Sequence, residues 1–246
     1  MKRKSGRNIL KFLVIIPSYK EMENLKIQIP AILKKFTNSH VLIVDDFSGD
    51  ETNLLMIDLM DNYPNRIDYI CRRDNPSYAL SLLLGFEFSR KNHFDRVIQM
   101  DADGSHSIHD IRNLLEASAD VVIGSRYKQN SEVIQFPITR LLYSILGNLY
   151  ISLLWKTKIR DKTNGFRCFK PAAIEKILEH PYKSRGFSIQ IEVLRNLINL
   201  RDLQIVEVPT VFRYRLVGES KFDLKKLLEA LVLATRLAFK SKEKHD

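Results

Sequence analysis

Val97-Ile98-Gln99-Met100-Asp101-Ala102-Asp103-Gly104-Ser105-His106 is the stretch whose reading decides the fold. A short, mostly apolar run meets two aspartates separated by one small residue. This pattern predicts a buried strand whose carboxyl end opens into a loop. In open α/β sheets, ligands bind at that end of the strands. Carboxylates at i and i+2 on a turning backbone can face one point. That arrangement suits a hard divalent cation, Mg²⁺ or Mn²⁺, which also takes phosphate oxygens from its ligand. Asp-x-Asp also occurs as a solvated strand end, so its meaning depends on the rest of the chain.

Outward from this stretch, apolar runs at 12–17, 41–44, 67–71, 96–101 and 121–124 read as strands. Helical spacing appears at 22–36, 52–60, 78–90 and 108–117. The alternation predicts βαβ units, hence an α/β fold with a mostly parallel sheet and helices on both faces. After Gly124 the alternation stops. Helices are expected at 138–157, 171–179, 188–200 and 222–239, with short strands at 165–170 and 204–208. No linker separates two units, so residues 1–246 are expected to form one domain.

Each early strand runs into polar residues: Ser18-Tyr19-Lys20-Glu21, Asp45-Asp46-Phe47-Ser48, Asp101-Ala102-Asp103 and Ser125-Arg126-Tyr127. Gathered on one sheet edge, they would line a ligand crevice. Neither glycine fingerprint, G-x-G-x-x-G or G-x-x-x-x-G-K-[ST], is present. A crevice of aspartates plus a cation still suits a nucleotide, since the carboxylates can accept its hydrogen bonds and the metal neutralises a diphosphate.

The net charge of +10 is unevenly placed. Residues 1–11 carry five basic and no acidic side chains, and residues 126–162 carry seven basic and two acidic. A segmental basic excess points to a polyanionic partner such as anionic lipid or lipid phosphate. Nucleic acid is disfavoured, because no recognition motif accompanies the charge. Cys71 and Cys168 match no metal or redox spacing and read as reduced thiols of a cytoplasmic chain. No secretory signal and no uninterrupted ~20-residue apolar span is expected. Residues 138–157 and 222–240 instead read as amphipathic helices lying in a membrane interface, with Tyr143, Tyr150 and Trp155 at headgroup level.

The segments PSYKEMENL (17–25), VDDFSGDET (44–52), MDADGSH (100–106), VIGSRY (122–127), DKTNGFRCF (161–169) and FRYRLVGESK (212–221) resemble glycosyltransferase family 2. They are most similar to its dolichol-phosphate mannose synthase and polyprenyl-phosphate glycosyltransferase members, in the same order over about residues 12–222. The resemblance implies a GT-A (Rossmann-like) fold and metal-dependent sugar transfer, with inversion, from a nucleotide-sugar to a polyprenyl phosphate. GDP-mannose is the expected donor. It implies a nucleotide site at Pro17, Tyr19, Glu21, Asp45, Asp46, Asp101, Ala102 and Asp103. The metal would be held by Asp101, Asp103 and Ser105. The acceptor phosphate would meet Arg126, Arg140, Ser144, Arg215 and Lys221, and Asp101, Asp103, Arg126 and Arg215 would serve catalysis. The expected partners are the donor, the lipid phosphate and an anionic membrane surface, with a small membrane partner or a homo-oligomer left open. The enzyme would sit peripherally on the cytoplasmic face of a membrane.

The chain departs from the family where Phe47 replaces a usual glycine; a phenylalanine takes positive φ only at a cost, so either a different turn or a reshaped base slot is expected. Residues 75–81 lack glycines common after the third strand. Two rivals remain at this point. One is a family 2 enzyme using a UDP-sugar or a glycan hydroxyl, which would need a carboxylate base. The other is a non-catalytic nucleotide-sugar-binding subunit.

Overall fold

The structure, a computed structural model, describes residues 10–214 and 224–240. Arg215, Lys221 and most of the basic N-terminal segment lie outside the described residues. The first half alternates as expected. β1 (Phe12–Ser18), α1 (Met22–Lys35), β2 (Ser39–Asp45), α2 (Thr52–Asn62) and β3 (Ile67–Cys71) are followed by α3 (Tyr78–Asn92) and β4 (Arg96–Gln99). A single 3₁₀ turn at Ile108–Asp110 leads into α4 (Ile111–Glu116), where one longer helix was expected, and then into β5 (Val121–Ser125).

The second half holds β6 (Glu132–Ile134), α5 (Ile138–Trp155), β7 (Arg167–Phe169), α6 (Pro171–Leu178), α7 (Ile189–Leu200), β8 (Ile205–Pro209), β9 (Val211–Arg213) and α8 (Leu224–Lys240). Seven strands form one sheet in the order β3-β2-β1-β4-β7-β5-β8, and β6 pairs with β9 in a parallel ribbon. Only β7 runs antiparallel to its neighbours, pairing Arg167 with Gln99 and with Ile123. The ribbon was not foreseen, because three-residue strands are too short to show alternation.

Alternation along the strands builds the core on both faces. In β1, Phe12, Val14 and Ile16 pack with α1, α2 and α4, while Leu13 and Ile15 pack with α3, α6 and α7. Pro17 is tolerated in this central strand because β4 pairs with β1 only as far as Ile15, so its missing N–H lacks a ladder partner on that side. The parallel strands bring their carboxyl ends to one edge. The loop before the reversed β7 reaches the same edge.

α5 and α8 pack together through Ile151, Trp155 and Ala234. Trp155 is therefore core rather than a headgroup anchor: it is 5% exposed, and its indole N–H donates to Ala234 O at 3.0 Å. Burial of its ring between helices wins over an interface position. Cys168 is buried, its thiol pushed up to about 12 by burial, and both cysteines are free.

Arg66 fastens the turn from α1 into β2. Its guanidinium donates to Ser39 O at 2.7 Å, and at the end of α1 to Phe36 O at 2.7 Å and Leu33 O at 3.3 Å. A cation at these last carbonyls also opposes the negative helix end. Arg66→Met is expected to lower unfolding free energy by about 1.5–3 kcal/mol, read from urea denaturation. Arg66→Lys should recover only part of it, because the fork is lost.

Candidate active site

Asp101 and Asp103 stand just beyond β4, on a turn that Gly104 closes at φ 72°. The Asp101 carboxylate accepts the Tyr78 phenol on Oδ1 at 2.8 Å. Its backbone N–H donates to His106 Nδ1 at 3.2 Å, and its carbonyl accepts Gln28 Nε2 at 3.2 Å. Asp103 Oδ1 accepts the Ser105 amide at 3.1 Å. Ser105 is buried, so it orients Asp103 through its backbone, and Ala102 is buried beside it.

His106 is spent internally. With Nδ1 accepting from Asp101, Nε2 carries the proton and donates to Asn164 Oδ1 at 3.0 Å. The ring stacks on Phe166 with centroids 4.9 Å apart. Asn164 Nδ2 donates in turn to Gly124 O, so the aspartate loop is tied to the end of β5.

The first two strand-end loops carry Pro17, Tyr19, Glu21, Asp45 and Asp46. Glu21 precedes α1 and accepts Asn24 Nδ2 at 2.8 Å. Asp45 accepts both the amide and the hydroxyl of Ser48, at 3.0 and 2.5 Å, and burial raises its pKa. Asp46 pairs with Arg72 and accepts Ser81 Oγ at 2.7 Å and the Ser77 amide at 2.8 Å. Both of its oxygens therefore hold the start of α3. Phe47 itself adopts positive φ (50°), where a different turn was one expectation, at a cost of ~1–2 kcal/mol. Its half-exposed ring, together with Tyr19, Arg73, Asp74, Asn75 and Pro76, lines a cleft of about 530 Å³ over Asp46.

On the other side of the aspartates, Arg126 makes a forked pair with Asp161. Nε and Nη2 each lie 2.7 Å from a different carboxylate oxygen, and Nη2 also reaches Thr163 Oγ1 at 2.8 Å. Burial disfavours both charges, but their mutual attraction outweighs it: the Arg126 pKa is raised and the Asp161 pKa lowered. The charge of Asp101 also favours the Arg126 cation. Tyr127 donates to Ser144 Oγ at 2.6 Å, and Arg140 Nη1 donates to the Tyr214 hydroxyl at 3.1 Å. Arg126, Arg140 and Ser144 thus gather around β5, β9 and the first half of α5.

The family model described as glycosyl transferase family 2 matches residues 13–178, a stretch that includes both the aspartate loop and the Arg126–Asp161 pair. The chain belongs to glycosyltransferase family 2. Polyprenol monophosphomannose synthase of Mycolicibacterium smegmatis is 34% identical over 222 residues, covering 89% of this chain and 83% of that protein. Undecaprenyl-phosphate mannosyltransferase of Micrococcus luteus is 31% identical, covering 92% and 93%. Dolichol-phosphate mannosyltransferase of Pyrococcus furiosus is 32% identical over 90% of this chain and 62% of its own length. A solved glucosyl-3-phosphoglycerate synthase of Mycobacterium tuberculosis, in complex with Mn²⁺, UDP and glucosyl-3-phosphoglycerate, has a TM-score of 0.67. It is 14% identical and covers 94% of this chain and 80% of that chain. This supports the GT-A fold.

The donors at the aspartate loop fit a hard cation. They are carboxylate oxygens, no thiolate stands among them, and His106 is committed elsewhere. Among the described residues, no cluster of three or more His, Cys, Asp or Glu could hold a metal alone. Mg²⁺ and Mn²⁺ commonly complete such two-carboxylate sites with water and substrate phosphate.

Several residues that build the site escaped sequence reading. Tyr78, Asp161, Lys162, Asn164 and Gln190 act across 14 to 112 positions of chain. Asp161 and Asn164 do sit in the DKTNGFRCF segment, which was a usable signal. Lys162 is fully buried. Its ammonium donates to Asn148 O at 2.9 Å, Arg160 O at 3.2 Å and Ser152 Oγ, holding α5 against the site loop. Burial lowers its pKa to about 8, against the opposing charges of Glu207 and Asp161. Between about 8 and the ordinary 10.5, the unfolded chain binds more protons at this amine, so stability rises with pH. The stability of the parent chain relative to Lys162→Met should therefore climb from pH 8 to 10. A difference that stays flat in denaturation curves across that window would contradict the assignment.

Proposed function

We propose that the chain transfers a sugar, with GDP-mannose the preferred donor, to the phosphate of a polyprenyl lipid at a membrane surface. One adjacency carries this reading. The charge of Asp101 favours the Arg126 cation, and Tyr127, next to Arg126, bonds Ser144 of α5, a helix whose outer face is apolar and exposed. The near full-length similarity to two polyprenyl-phosphate mannose-transferring enzymes supports it.

In this reading Asp101 and Asp103 hold Mg²⁺ or Mn²⁺, which supplies positive charge for the donor diphosphate. The Phe47–Tyr19 cleft receives the nucleotide. A lipid phosphate oxygen attacks the anomeric carbon as the bond to the donor diphosphate breaks. The electron pair leaves with the diphosphate and the anomeric configuration inverts. A phosphate is already ionised at neutral pH, so no strong base is needed. Arg126 and Arg140, with Arg215 and Lys221 from outside the described residues, serve by positioning and by charge stabilisation. The direct test is mass-spectrometric detection of polyprenyl-phosphate sugar from a panel of nucleotide-sugars with Mg²⁺ or Mn²⁺. GDP-mannose should be the best donor, and no product from any donor would overturn the reading. Asp103→Asn should lower turnover by about 100-fold or more while the melting temperature barely moves.

The acceptor's tail requires a lipid-facing surface, and α5 offers one. Ile138, Leu142, Leu146, Leu149 and Leu153 are all more than half exposed. Among the described residues, α5 is the one helix long and apolar enough to cross a membrane by length and composition. Its inner face argues for lying flat instead: Asn148, Ile151 and Trp155 are buried, and Tyr150 bonds Thr235 of α8 at 2.7 Å. Lys156, Lys158, Arg160 and Arg236 are exposed nearby and would add about 1 kcal/mol each against anionic lipid. The chain should float with anionic liposomes at low salt. Leu149→Ser/Leu153→Ser should abolish flotation without loss of fold, because both side chains face outward.

A further inference from the structure

As a cation ligand, Asp101 needs a partner that fixes its own orientation, and Tyr78 is placed to be that partner. The Tyr78 side chain is partly buried. Its oxygen accepts Gln99 Nε2 at 3.0 Å and Gln190 Nε2 at 2.8 Å. A phenol oxygen has two lone pairs and one proton. With both lone pairs taken by amide donors, the proton has one destination, Asp101 Oδ1, 2.8 Å away.

The seat around this contact is tight. A Cβ on Gly165 would lie 3.1 Å from Asp101 Oδ1, 3.1 Å from Gln190 Nε2 and 3.2 Å from the Tyr78 hydroxyl. Only a residue without a side chain leaves the cluster undisturbed. The backbone beneath Tyr78 is also fixed. Tyr78 opens α3, whose Ser77 cap is gripped by the Asp46 carboxylate at its amide and by Arg185 O at its hydroxyl. The Phe187 ring covers the Tyr78 ring with centroids 4.3 Å apart.

We propose that Tyr78 is a positioning residue for the metal-binding carboxylate, holding Asp101 in one orientation before cation and donor arrive, with Gln99 and Gln190 aiming its proton and Gly165 leaving it room. This rests on the assignment of Asp101 as a cation ligand. Preorganisation of this kind lowers the ordering cost of binding. Loss of a carboxylate's outer partner commonly weakens metal affinity 10–100-fold.

The experiment measures Mn²⁺ affinity of the full chain by electron paramagnetic resonance, with GDP or UDP saturating, alongside the metal dependence of turnover. Tyr78→Phe should weaken Mn²⁺ binding about ten-fold or more and raise the KM for metal further than it lowers kcat. Gly165→Ala removes no hydrogen bond, so it tests the seat if Tyr78→Phe folds poorly, and it should shift Mn²⁺ affinity in the same direction. A purely structural role would lower the melting temperature of both variants and leave Mn²⁺ affinity at the parent value, which would overturn the proposal. Absence of Mn²⁺ binding by the parent chain itself would overturn the metal reading, and Tyr78's role with it.

Discussion

The buried fork between Arg126 and Asp161 is the constraint on which the rest of the site depends. Arg126 directly follows β5, and Asp161 begins the loop that becomes β7. Asp161 also accepts the amides of Arg126 and Asn164, at 3.0 and 3.2 Å. From β8, Glu207 accepts the amides of Arg160 and Asp161 at 2.9 and 2.8 Å. The loop is thereby placed in register with two strands at once. A buried ion pair of this kind adds little stability over a well-packed apolar pair, but breaking it by removing one partner costs about 3–5 kcal/mol. Its value is registry: from Asn164 the same loop reaches His106, and from His106 the backbone of Asp101.

The reversed strand β7 follows from that registry. A parallel strand between β4 and β5 would bring its far end, not its entry loop, to the carboxyl edge of the sheet. Running backwards, β7 starts at that edge, so residues 161–166 arrive beside Asp101 and Arg126. Arg167, the first residue of β7, is buried under them. It donates to Gln190 O at 2.9 Å and Lys162 O at 2.8 Å, and burial depresses its pKa to about 10 against the pull of Asp161, Tyr78 and Asp101. A third buried cation thus sits beneath the carboxylates, and the charges it lies among offset only part of its burial cost.

Most of the sheet was legible because its strands are continuous apolar runs, which parallel strands covered on both faces must be. The Asp-x-Asp loop was legible for the same reason: paired charges stand out where an apolar run stops, and the stop marks the ligand edge of the sheet. The polar scaffold was not. Asp46 lines the cleft, but nothing local shows that its oxygens also serve Arg72, Ser77 and Ser81, partners 26 to 35 positions away. Tyr78 reads as the first apolar residue of a helix, and nothing local marks its hydroxyl as the partner of a carboxylate 23 positions on. Hydrogen bonds between distant segments leave no period in the sequence. Trp155 misled in the opposite sense, since an aromatic at the end of an apolar helix suits an interface or a core equally well until its neighbours are known.

α5 joins the chemistry to the surface because its two sides obey different rules. The inner side is polar wherever it meets the site loop. Asn148 donates to Thr163 Oγ1 at 3.3 Å, and its carbonyl and amide oxygens accept Lys162 at 2.9 and 2.7 Å. Those bonds are satisfied within the protein, so the helix asks nothing further of water there. The outer side is apolar along its length and is covered by nothing among the described residues. A helix that was merely core would bury that side, and one that was merely solvated would not have it. Ser144, four residues before Asn148, takes the hydroxyl of Tyr127, so the inner side of α5 is also tied to the residue that follows Arg126 in the chain.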